Sequence, residues 1–136
     1  MAQDFQQGLY AYLSTNATIT ALISTRLYPD ILPQDVTYPA VVFRQIGNND
    51  DDGLQAASTL LRPIYEFEAQ AQDGDDPYTA ARQVIRAITS VLQDYAGAMG
   101  NCTVGAVLRG EDAEDYDPDK NVYWASREFE FFVTEG

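Results

Sequence analysis

Carboxylates are the only reactive groups this sequence carries in quantity, and their spacing invites two kinds of chemistry. Asn48-x-Asp50-x-Asp52-Gly53 follows the first half of a calcium-binding loop, with oxygen ligands at alternate positions and the glycine that permits the sharp turn. The twelfth position of such a loop supplies a bidentate glutamate, and here it is Thr59. No helix clearly precedes the run. Asp115-x-Asp117-x-Asp119 repeats the spacing but has Lys120 where the glycine belongs. Both runs read as chance spacing, so no metal is expected. The second possibility is hydrolysis by paired acids, one as proton donor and one as base. Twelve of the 21 acids, however, fall within residues 50–52, 73–76 and 111–119, which read as solvated loops.

The remaining catalytic vocabulary is sparse. There is no histidine, the commonest general base and transition-metal ligand. Cys102 stands alone among alternating apolar residues, as a buried small hydrophobe does, and excludes both an internal disulfide and a Cys/His zinc site. Gly-x-Ser-x-Gly, Walker and Gly-x-Gly-x-x-Gly patterns do not occur. The expectation is a protein that is not an enzyme and takes no cofactor.

Charge narrows the partners. Eight basic against 21 acidic side chains give a formal net charge of −13. Such a surface repels phosphate backbones and anionic lipid, so neither specific DNA binding nor membrane association is expected. Residues 1–7 have no basic or apolar signal-peptide region, and no apolar run approaches bilayer length. The chain is therefore read as soluble and cytosolic. At 136 residues with 46% hydrophobic content, it is expected to fold as one domain spanning 1–136.

The elements that must position these groups are visible in the periodicities. Phe5, Leu9, Tyr12 and Leu13 recur at helical spacing; Thr15 and Asn16 interrupt, and residues 17–23 form a second short helix. A proline-punctuated connector, 26–39, reads as ordered but irregular. Residues 40–46 are a strand, and 47–60 a long loop of turn formers. The next strand puts Leu61, Tyr65, Phe67, Ala69 and Ala71 on one face and Arg62, Glu66, Glu68 and Gln70 on the other. Asp76-Pro77 then caps and opens a helix with an Ala81, Ile85, Ile88, Leu92, Tyr95 stripe, which Gly97 is placed to end as a left-handed cap. Arg82 and Arg86 lie off that stripe, toward solvent or a partner. A strand over 102–108, an acidic loop and a closing strand from Tyr123 complete the order, with Ser126, Glu128 and Glu130 on the last strand's polar face. The fold class expected is α+β: an antiparallel four-stranded sheet, one long helix packed on it, and short N-terminal helices.

The ordered set of proline and aromatic landmarks resembles the tail terminator, or tail completion, proteins of long-tailed bacteriophages and gene-transfer particles. The landmarks are Leu9-Tyr-Ala-Tyr-Leu13, Arg26-Leu-Tyr-Pro29, Pro33 and Tyr38-Pro-Ala-Val-Val-Phe43, then Arg62 with Tyr65 and Phe67, and finally Tyr116-Asp-Pro-Asp, Tyr123, Ser126 and Phe129. The resemblance implies a structural virion protein of the tail-neck region, assembled in the bacterial cytoplasm. It implies a homo-oligomeric ring, typically a hexamer, on the head-proximal end of the tail tube. Its partners would be the major tail tube protein and the head-tail connector or adaptor, and DNA would pass its lumen without specific binding. On that footing Asn48, Asn49, Asp50, Asp51, Asp52, Gly53 and Leu54 form a tube-contact loop. Glu66, Glu68, Glu128 and Glu130 face the lumen or a subunit interface, and Arg62, Arg82, Arg86 and Arg127, with Arg44 and Arg109, supply pairs within or between subunits. Two other readings stay open: another neck or head-completion adaptor, and an acidic DNA mimic that inhibits a DNA-binding protein.

Overall fold

The alternation of the central strands builds the molecule outward from one sheet. A computed structural model describes residues 2–48, 60–72, 77–93 and 95–135. Three helices and seven strands follow in the order α1 (Ala2–Ser14), α2 (Ala17–Ile23), β1 (Leu27–Pro29), β2 (Ala40–Asn48), β3 (Leu60–Leu61), β4 (Pro63–Ala71), α3 (Pro77–Leu92), β5 (Gly97–Met99), β6 (Cys102–Asp117) and β7 (Val122–Glu135). Six strands run β1-β2-β4-β7-β6-β5 across the sheet, and the two-residue β3 pairs with β7.

Each odd residue of β4 from Pro63 to Ala71 is buried and each even one half-buried, so the expected two-faced strand is present. Tyr65, Phe67, Phe129 and Phe131 meet Phe5 and Phe43 beneath the helices, with Phe67 and Phe129 edge-on at 5.7 Å between ring centres. Such ring pairs add about 0.5–1.5 kcal/mol beyond burial. α3 covers β4 and β7 through Ala81, Val84, Ile85, Ile88 and Leu92. Asn16 caps α2, its Oδ1 accepting from the Thr18 and Ile19 amides at 2.9 and 3.4 Å. α1 approaches the β5–β6 turn so closely that a side chain on Gly8 would overlap the Met99 and Gly100 backbone.

The sheet departs from the four antiparallel strands expected. β1 pairs in parallel with β2, Leu27 opposite Val41, which makes the sheet mixed. This strand lies inside the connector read as irregular; Pro29 is tolerated because an outermost strand need not donate on both sides. β6 does not stop at Leu108 but runs on to Asp117, paired with β7 as far as Val122. Its acids lie on a largely solvent-exposed strand, where ionised side chains stay in contact with water. α3 ends at Leu92, so Gly97 is not its cap; with φ of 143° it opens β5 instead. Tyr95, beyond the helix, packs on Tyr12 at 4.7 Å. The expected cap Asp76 lies outside the described residues.

Candidate interaction surface

Strand register decides which charges meet. On the sheet face away from the helices, Arg44, Glu66 and Glu128 are cross-strand partners in a row over β2, β4 and β7. Arg44 NH1 donates to Glu66 Oε1 and lies 3.9 Å from Glu68 Oε1. Gln70 Nε2 donates to Glu68 Oε2 at 2.6 Å. Arg62 Nε donates to Glu130 Oε2 at 2.8 Å, with its guanidinium 4.7 Å above the Phe132 ring. The four glutamates Glu66, Glu68, Glu128 and Glu130 therefore share one face.

Glu128 differs from the other three. Among the described residues no cation pairs with it, and its cross-strand partner is another acid. Partial burial pushes its carboxyl pKa up, reinforced by the charges of Glu111 and Glu66. Like charges directly opposite across two strands are unfavourable. A Cβ on Gly110 would stand 3.1 Å from that of Glu128, so β6 passes close beside this residue.

The helix face carries a second group. Arg127 is in line with the buried Phe129 and Phe131, but its side chain reaches out between α3 and β6 and is only 14% exposed. Its Nε and NH2 donate to Asp112 at 2.6 and 3.1 Å and its NH1 to Thr89 Oγ1 at 2.7 Å. These hydrogen bonds hold the Asp112 carboxyl below the usual range, with help from Arg109 at 3.3 Å. Arg82 grips Glu114 through two nitrogens, at 2.7 and 3.1 Å, and lies 4.2 Å over the Tyr78 ring. Its hydrogen bonds likewise lower Glu114. Arg86 has no partner among the described residues, and with Arg82 and Arg127 it lines a cleft of about 490 Å³ between α3 and the β6–β7 hairpin.

Of the arginines singled out in the sequence, Arg62, Arg82 and Arg127 thus each hold a carboxylate of their own chain, whereas Arg86 is open. Asp112 and Glu114, the partners of Arg127 and Arg82, fall in the stretch expected to be an acidic loop. Their alternation with Tyr116 was the available signal. Asn48 ends β2 opposite Pro63, so the segment after it leaves from the margin where β4 begins. Asn49, Asp50, Asp51, Asp52, Gly53 and Leu54 lie outside the described residues. Asp115 and Asp117 accept from the nearby amides of Tyr116 and Asp119 at 2.7 and 3.0 Å. Among the described residues no three potential ligands gather as a metal site, and no helix is long and apolar enough to cross a membrane. Among the described residues the arrangement orders charge across a surface.

The family described as Tail completion protein gp17 matches residues 7–134. A solved chain from the virion of a native gene transfer agent particle has the same fold, with a TM-score of 0.79, 14% identity, and coverage of 99% of this chain and 97% of that one. No curated protein matches.

Proposed function

The chain belongs to the tail completion protein family, structural components of the phage tail, and from that premise we propose that it forms a sixfold ring closing the head-proximal end of the tail tube. The ring stops tube polymerisation and offers the head connector its docking surface. The observation that carries this reading is the division of the sheet. Its helix side is packed with aromatic rings, while its other face is open and bears a row of half-buried glutamates. Turned toward a lumen, Glu66, Glu68, Glu128 and Glu130 repel DNA phosphates, so the genome slides through without the counterion release that drives adhesion.

The tube-contact role falls to the segment 48–54, which departs from one end of the sheet between Asn48 and Leu60. The test is electron microscopy of particles made without this protein. Overlong tails with unattached heads support the reading. Tails of normal length with unattached heads assign the chain to a neck adaptor instead, and intact, infectious particles overturn both.

A further inference from the structure

The cations of this chain are gathered where its acids are few. Acids outnumber bases 21 to 8 over the whole sequence. Yet four of the eight bases, Arg82, Arg86, Arg109 and Arg127, line one groove between α3 and the β6–β7 hairpin. The groove consists of two cavities, about 490 and 350 Å³, that share Arg86 and Arg127. Among the described residues only two acids line it, Asp112 and Glu114. A strongly negative molecule thus keeps a local excess of positive charge in a concave site.

Two of the arginines are engaged within the chain and form fixed walls. Arg127 donates to Asp112 and to Thr89 Oγ1, and Arg82 holds Glu114 through Nε and NH2. Arg109 is half exposed and reaches Asp112 through NH2 alone, at 3.3 Å. Arg86 makes no hydrogen bond or ion pair among the described residues, so all five of its N–H donors are available. It also stands four residues from Arg82 on α3, a like-charge spacing that works against the helix. A solvated surface arginine has no such company. Here the neighbouring guanidinium groups, with Ile85, Ala113 and Ala125 as apolar walls, focus positive potential into the groove.

We propose that this groove is a docking site for an acidic peptide segment of a partner protein, with one carboxylate on the Arg86 guanidinium and a second on Arg109. A carboxylate matches the two-pronged donor geometry of Arg86. The methylenes of the same acidic side chains lie against Ile85, Ala113 and Ala125. Each cavity falls within the about 300–1,000 Å³ of clefts that hold small ligands, so the groove admits a few side chains rather than a folded surface.

Charge separates this occupant from nucleic acid. A nucleic-acid strand extends beyond the groove over a surface whose remaining charges are overwhelmingly acidic, and repulsion there opposes the gain at four arginines. A short peptide segment meets the groove alone. Ordering costs are small, because Arg127 is only 14% exposed and is already held by Asp112 and Thr89. The site does not rest on the ring reading, and it is measured on the isolated chain.

The experiment titrates the full chain, labelled with nitrogen-15, with a capped peptide of alternating alanine and glutamate and follows it by nuclear magnetic resonance. The Nε–H signals of Arg86 and Arg109 and the amides of 82–90 and 109–114 shift saturably, and the glutamine version of the peptide leaves them in place. Arg86→Gln, which breaks no ion pair of the fold, weakens binding about tenfold or more. Lys120→Gln, outside the groove, leaves it unchanged. No saturable shift, shifts centred elsewhere, or equal loss from Lys120→Gln overturns the proposal. Undiminished binding by Arg86→Gln does the same. A single-stranded oligonucleotide that moves the same signals at lower concentration assigns the groove to phosphate and likewise overturns it. Salt gives a readout that needs no variant: affinity for the glutamate peptide falls as ionic strength rises, and affinity indifferent to salt counts against a carboxylate on arginine.

Discussion

Within the β6–β7 hairpin, two strands of nearly equal length live in different solvents. β7 lies between β4 and β6, and its odd residues Phe129, Phe131 and Val133 are at most 1% exposed. β6 is covered at its start, where Cys102 and Val104 are buried, and then exposed over nearly all of 105–117. The first strand is held by burial of aromatic surface, the second by its ladder to β7 and by ion pairs to Arg82 and Arg127. The lesson is that one hairpin can be core on one strand and water-facing on the other. Mutations should separate the two.

The largest effect belongs to β7. Phe129→Ala removes a ring packed on Phe67 and is expected to cost about 3–5 kcal/mol in chemical denaturation. A loss below about 1 kcal/mol would show that β7 is not the core strand described. Arg127→Ala comes next, because this side chain bridges the two environments. Removing its charged hydrogen bonds to Asp112 and Thr89 should cost about 1.5–3 kcal/mol. The Asp112 carboxyl is lowered in the fold, so its stabilising contribution is present above the unfolded carboxylate pKa and lost as pH falls through the depressed folded value. Stability of the parent should therefore decline in acid more steeply than that of Asp112→Asn, and identical acid profiles would remove the ion pair from the account.

On β6 the comparison runs the other way. Leu108→Ala deletes a side chain already half in water, so the isolated subunit should change by no more than about 0.5 kcal/mol in chemical denaturation. If the subunit is destabilised as strongly as by Phe129→Ala, β6 is not the water-facing strand described.

Legibility in the sequence tracked the same division. Tyr65, Phe67 and Phe129 announced their strands because alternation against a packed neighbour is a local pattern, and the α3 stripe did so by its period. β1 was hidden because its three residues owe their structure to Val41–Phe43, a pairing no local period encodes. The outer half of β6 was hidden because composition suggests loop wherever acids crowd, and only the ladder to β7 makes Asp112 and Glu114 strand residues facing arginines. The polar face of β4 and β7 was readable as a face. That Glu66, Glu68 and Glu130 find a partner on it and Glu128 does not follows from register, which a single sequence does not display.

Glu128 offers the smallest effect and the sharpest distinction. Its folded pKa is raised, by burial first and by Glu111 and Glu66 next, so ionising it works against the isolated fold. The native state holds the proton more tightly than the unfolded chain, and stability contributed by this group falls as pH rises through the raised value. Glu128→Gln keeps the shape and removes the charge, so near neutral pH the isolated subunit should gain about 0.2–1 kcal/mol, the scale of a relieved cross-strand repulsion. If Glu128 lies at a subunit interface, as the ring reading allows, assembly should move the other way, because its carboxylate would then draw on a cation of the next copy. A purely structural residue would shift both quantities in one direction, and a lumen acid with no neighbour would leave assembly unchanged. Stabilisation of the subunit together with weaker rings is the outcome expected only of a carboxylate kept unpaired within its own chain for a partner outside it.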